Sequence, residues 1–86
     1  AGSLMKYSRM KKILKGDKFH VICDESTVKV FDKDATMVGV VDNTIPHLMS
    51  TDYDRTYYLD DKRRAKLFAA MYEYCSTPIE YREIKG

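Results

Sequence analysis

Apolar residues recur at helical spacing from Leu4 to Lys15. At about 100° per residue, Tyr7, Met10, Ile13 and Leu14 share one arc, and Arg9, Lys11, Lys12 and Lys15 share the other. Gly16 stands where a left-handed residue would end this helix. The period then shortens to two. Phe19, Val21 and Cys23 alternate with His20 and Ile22, Val28 and Val30 alternate with Lys29 and Phe31, and Thr36 to Val41 is almost wholly apolar. The short polar joints Asp24-Glu25-Ser26 and Lys33-Asp34-Ala35 imply hairpins. Asp42 to Asp54 carries no clear period, although Asn43-Thr44 before Ile45-Pro46 suggests a helical turn with proline at its first position. Thr56-Tyr57-Tyr58-Leu59 reads as a fourth strand.

From Asp61 to Ser76 the helical period returns, with Asp60 as N-cap and Asp61 in the first turn. Ala65, Leu67, Phe68, Met71, Tyr72, Tyr74 and Cys75 form its apolar stripe, with Arg64 inside that arc, and Lys62, Arg63, Lys66, Ala70 and Glu73 lie opposite. Thr77-Pro78-Ile79-Glu80 composes a capping box that starts a second short helix carrying Ile79, Tyr81, Arg82 and Ile84. The expected fold is α+β: an N-terminal helix, a three- to four-stranded antiparallel meander, and a C-terminal helix followed by a short second helix.

Eighty-six residues allow one domain, near the lower limit for a self-sufficient core. Ala1-Gly2-Ser3-Leu4 before Met5 reads as an expression scar, leaving a single α+β domain over 5–86. No apolar run approaches the roughly 20 residues that span a bilayer, and the basic start lacks the apolar core of a signal peptide. Two widely separated cysteines, Cys23 and Cys75, at core-facing positions read as reduced buried thiols of a cytoplasmic protein.

The ending Leu67-Phe68-Ala69-Ala70-Met71-Tyr72-Glu73-Tyr74-Cys75-Ser76-Thr77-Pro78-Ile79-Glu80-Tyr81-Arg82-Glu83 resembles that of small phage and prophage proteins of Gram-positive bacteria. These share an apolar helix followed by a Y-small-x-T-P-I-E-x-R-E tail, and the Tyr-Tyr-Leu-Asp-Asp entry to the helix is similar too. The likeness is concentrated in roughly the last 30 residues. It implies an accessory protein of a mobile element and transfers no catalytic residue.

The chemistry of the chain narrows the field further. No two glycines lie close enough to cradle a phosphate. His20, Cys23, His47 and Cys75 lack metal-ligand spacing, and Asp32-x-Asp34 lacks the glycine and glutamate of a calcium loop. Cys75 at a helix C-terminus and Cys23 inside a strand are poorly placed nucleophiles. The expectation is a protein without catalysis, cofactor or metal.

Charge is sorted along the chain. Residues 1–18 carry six basic side chains against Asp17; residues 19–61 carry nine acidic against three basic; residues 62–86 carry six basic against three acidic. If the basic helix faces merge, Arg9, Lys11, Lys12, Lys15, Lys62 and Lys66 are candidates for phosphate contacts. Membrane-surface binding is disfavoured by the narrow apolar arc of the first helix.

The stronger reading is a protein partner, a host or phage factor. Seven tyrosines exceed what so small a core can bury with every hydroxyl satisfied. Tyr53, Tyr57, Tyr58, Tyr74 and Tyr81 are candidate anchors. The predicted contact set is Tyr53, Tyr57, Tyr58 and Tyr81 with Arg63, Arg64 and Arg82, and a homodimer would bury the excess.

Overall fold

The computed structural model describes residues 4–84; Ala1 to Ser3 of the expected scar lie outside them. The first helix, α1 (Tyr7–Gly16), buries Tyr7, Met10 and Leu14, on the expected arc. Its end differs from expectation. Gly16 remains helical, and the left-handed residue is Lys18, at φ 67°. The Phe19 amide donates to Leu14 O (3.0 Å) and the Lys18 amide to Lys15 O (3.1 Å), the paired bonds of a Schellman motif. Leu14 and Phe19 are both buried and must meet in the core, which fixes the turn one residue later than the glycine. A lysine in that conformation costs roughly 1–2 kcal/mol.

Four strands follow: β1 (His20–Cys23), β2 (Thr27–Phe31), β3 (Met37–Asp42) and β4 (Met49–Ser50). They form an antiparallel meander in the order β1-β2-β3-β4. The Asp24 carboxylate closes the first hairpin by accepting the Ser26 and Thr27 amides at 2.8 Å each. Between β2 and β3, Ala35 takes φ 67°. Val30 pairs with Gly39 but Phe31 with Met37, so Val38 is an extra, bulged residue. That is why the consecutive residues Val38 and Gly39 are both buried.

The fourth strand is not Thr56 to Leu59. That segment lies in and after a helical turn, α2 (Asp54–Tyr57), and Met49–Ser50 pairs with β3 instead. A tertiary bond decides the matter, because the buried Thr56 hydroxyl donates to Val38 O at 2.7 Å. The expected proline-led helical turn is also absent. Asp42 accepts the Thr44 and Ile45 amides (2.7 and 2.8 Å), and this Asx turn competes successfully with a helix.

The long helix, α3 (Asp61–Ser76), begins as expected, with Asp60 accepting the Arg63 amide at 2.8 Å. Its buried stripe is Leu67, Ala70, Met71, Tyr74 and Cys75. Ala65, Phe68 and Tyr72, expected inside, are exposed, and Ala70, expected outside, is buried. The helix runs antiparallel to α1: Arg63 Nε reaches Asp17 O at one end (2.9 Å), and the Tyr7 amide reaches Arg82 O at the other (2.6 Å).

Thr77 does not cap a following helix. It ends α3, its hydroxyl donating to Glu73 O (2.8 Å) and accepting from the Met5 amide (2.9 Å). Only a 3₁₀ turn, Ile79–Tyr81, follows Pro78.

Candidate functional site: an aromatic cleft

The structure sorts the predicted contact residues into surface and core. Tyr57, Tyr58 and Tyr81 are 67%, 83% and 54% exposed. Tyr53 is half-buried. Tyr74, by contrast, is fully buried against Tyr7 and donates its hydroxyl to Asn43 Oδ1 at 2.9 Å. Burial pushes its pKa up to about 12.

Arg82 is fully buried, which removes it from any contact surface. Its guanidinium donates to Thr77 O (2.9 Å), Cys75 O (3.0 Å) and Asp42 O (2.7 Å), and lies 4.8 Å from the centre of the Tyr74 ring. A cation therefore satisfies the carbonyls at the negative end of the α3 dipole. Arg63 is likewise structural: it pairs with Asp32 at 2.7 Å and covers the Phe19 ring. Asp32 feels burial most, yet the Arg63 hydrogen bond, the Lys33 amide and nearby guanidinium charge together hold its carboxyl below the usual range.

Arg64 belongs to the surface set, its guanidinium donating to Tyr57 O (3.2 Å) and pairing with Asp61. Together with Met49, Ser50, Thr51, Asp52, Thr56, Tyr57 and Phe68 it lines a cleft of about 740 Å³ between α2, β4 and α3. Arg64, Phe68 and Tyr72 recur every fourth residue along the outer side of α3, and Tyr72 is 67% exposed. Helical periodicity alone puts Phe68 and Tyr72 on the apolar stripe of α3. The signal for their exposure is that the apolar residues of α3 cover more than one face, so one sheet-facing stripe cannot absorb them all.

The predicted phosphate-contact residues Arg9, Lys11, Lys12, Lys15, Lys62 and Lys66 are all exposed. The structure divides them. Lys11 and Lys15 line a groove beside β1 together with Lys18 and Lys33, whereas Arg9, Lys12, Lys62 and Lys66 do not line it.

Burial raises the pKa of both thiols, so neither is predisposed to be a thiolate near neutral pH. Cys75 is buried and Cys23 half-buried, and both are free. No group of three His, Cys, Asp or Glu among the described residues could hold a metal ion. None of the described helices is long and apolar enough to cross a membrane. Neither protein-family models, nor curated proteins, nor solved structures compared with this chain give a match.

Proposed function

We propose that this protein is a non-catalytic binding module: a phage- or prophage-derived accessory protein of the bacterial cytoplasm that engages and modulates a protein partner. The aromatic cleft carries the reading. Tyr57, Phe68 and Arg64 surround it, and Tyr58 and Tyr72 extend the aromatic surface. Tyrosine and arginine are the side chains that most often dominate binding energy, because each offers large area with a polar end. The resemblance of the ending over residues 67–83 to phage and prophage proteins supports the biological setting.

Affinity capture from host lysate, with and without nuclease, tests this directly. A nuclease-resistant protein should be recovered by the parent and lost by Tyr57→Ala/Phe68→Ala, with affinity falling at least about tenfold. Recovery that the double substitution leaves intact would place the partner elsewhere. Light scattering distinguishes a foreign partner from self-association, since a homodimer through this cleft would dissociate in the same variant.

A nucleic-acid reading rests on a separate observation, the gathering of Lys11 and Lys15 with Lys18 and Lys33. It requires duplex or single-strand binding in a gel-shift titration that declines steeply with salt.

A further inference from the structure

We infer that the groove beside β1 is a second binding site, which takes an acidic peptide segment in extended conformation as a fifth strand of the sheet. The groove, about 730 Å³, lies between α1, β1 and the β2–β3 hairpin. His20, Val21 and Ile22, three consecutive residues of β1, all line it, together with Lys18 and Phe19 just before the strand. Successive side chains of a strand point to opposite faces, so a consecutive run can line a groove only where the strand's edge faces it. The topology agrees: β1 is at the end of the strand order and pairs with β2 alone. An edge strand presents alternating N–H and C=O groups at strand spacing, which another extended peptide backbone matches.

Charge selects the peptide. Lys11 and Lys15 from α1, Lys18 from its C-terminal turn and Lys33 from the hairpin converge on the groove. Among the described residues Lys15, Lys18 and Lys33 make no ion pair, and Lys11 sits 5.9 Å over the Tyr7 ring. The hairpin carboxylates that would neutralise them are engaged elsewhere, Asp32 with Arg63 and Asp34 with Arg55, each at 2.7 Å. Lysines beside an edge repel basic and resist neutral strands, and the same charges attract acidic ones. The floor, with Val21, Ile22 and Phe31, is apolar. Apolar side chains alternating with carboxylates therefore suit the groove on both counts.

A nucleic acid fits less well. Phe19 is fully buried and Phe31 half-buried, which leaves little ring face for base stacking, and a phosphodiester backbone cannot pair with a strand edge.

The test uses a fluorescein-labelled peptide of about ten residues alternating valine and glutamate, long enough to cover a four-residue strand at about 3.3 Å per residue. Its anisotropy should report binding that weakens as salt rises. In Lys15→Glu/Lys33→Glu, exposed positions on opposite sides of the groove, affinity should fall about tenfold or more while circular dichroism stays unchanged. N-methylation of one alternate set of peptide amides should abolish binding, and methylation of the other set should not. Tyr57→Ala/Phe68→Ala should bind the peptide as the parent does, which separates this site from the aromatic cleft. Absence of peptide binding, equal tolerance of both methylated sets, indifference to the lysine reversals, or tighter binding of a single-stranded oligothymidine of similar length would each overturn the inference.

Discussion

Arg82 shows how far a residue's role can lie from its type. Arginine is ordinarily a surface residue, and its place on the expected short second helix makes it a contact candidate in the sequence. In the fold it is a fully buried cation whose hydrogen-bond acceptors are the carbonyls of Thr77, Cys75 and Asp42. No local pattern encodes that arrangement, because the acceptors come from α3, its cap and the far end of β3. Replacing Arg82 by Met would remove a donor from all three carbonyls, leaving Cys75 O only its bond from the His47 amide (3.2 Å), and should cost about 3 kcal/mol or more of unfolding free energy in urea titration. Lysine supplies a charge but not a planar fork. Arg82→Lys should therefore recover only part of the loss; full recovery would show that charge alone, rather than the three directed bonds, holds the site.

At the scale of elements, α1, α3 and the first three strands are legible in the sequence because each has its own period. β4 is not, since two residues generate no period, and Thr56-Tyr57-Tyr58-Leu59 reads as a strand in the sequence although a tertiary bond from Thr56 overrides its β-branched and aromatic composition. The rotation of the α3 stripe had a different origin. Helical periodicity fixes which residues share a face, but the sheet decides which face is buried. Gly39 on β3 is the deciding contact: a Cβ there would lie 2.6 Å from Met71 Sδ and 2.8 Å from Met71 Cε. The missing side chain lets Met71 seat against the strand, which turns Phe68 and Tyr72 outward and thereby builds one wall of the aromatic cleft. Gly39→Ala should overfill the core and cost about 1–3 kcal/mol. Because the obstacle is the end of a flexible side chain, Gly39→Ala/Met71→Ala should be less destabilised than the two single variants summed. Strict additivity in that double-mutant cycle would exclude the contact as the cause.

Across the whole molecule, the acidic middle of the chain is largely consumed by structure, and stability should follow its titration. Backbone amides of Thr27 and Ser26 hold the Asp24 carboxyl below its usual range, and the Thr44 hydroxyl and amide do the same for Asp42. Asp32 is depressed as well, its desolvation being outweighed by its partners, Arg63 foremost. Depressed carboxylates favour folding above their unfolded pKa, about 3.9, and that contribution disappears as pH falls through the lower folded values. The opposite side is set by Tyr74, raised by burial to about 12, and by the raised thiols of Cys23 and Cys75. Groups raised in the fold favour it below their unfolded values, about 8.5 for cysteine and 10 for tyrosine, and the contribution is lost as pH climbs through the folded ones. Urea midpoints should therefore form a plateau from about pH 5 to 8 and fall on both sides. Asp32→Asn separates the acid limb from general charge repulsion. It should unfold more easily than the parent at pH 7, and the difference should shrink as pH falls below the usual carboxylate range, where the parent's own Asp32 becomes protonated. A difference that stays constant across that range would mean that Asp32 acts through packing and not through its ion pair with Arg63.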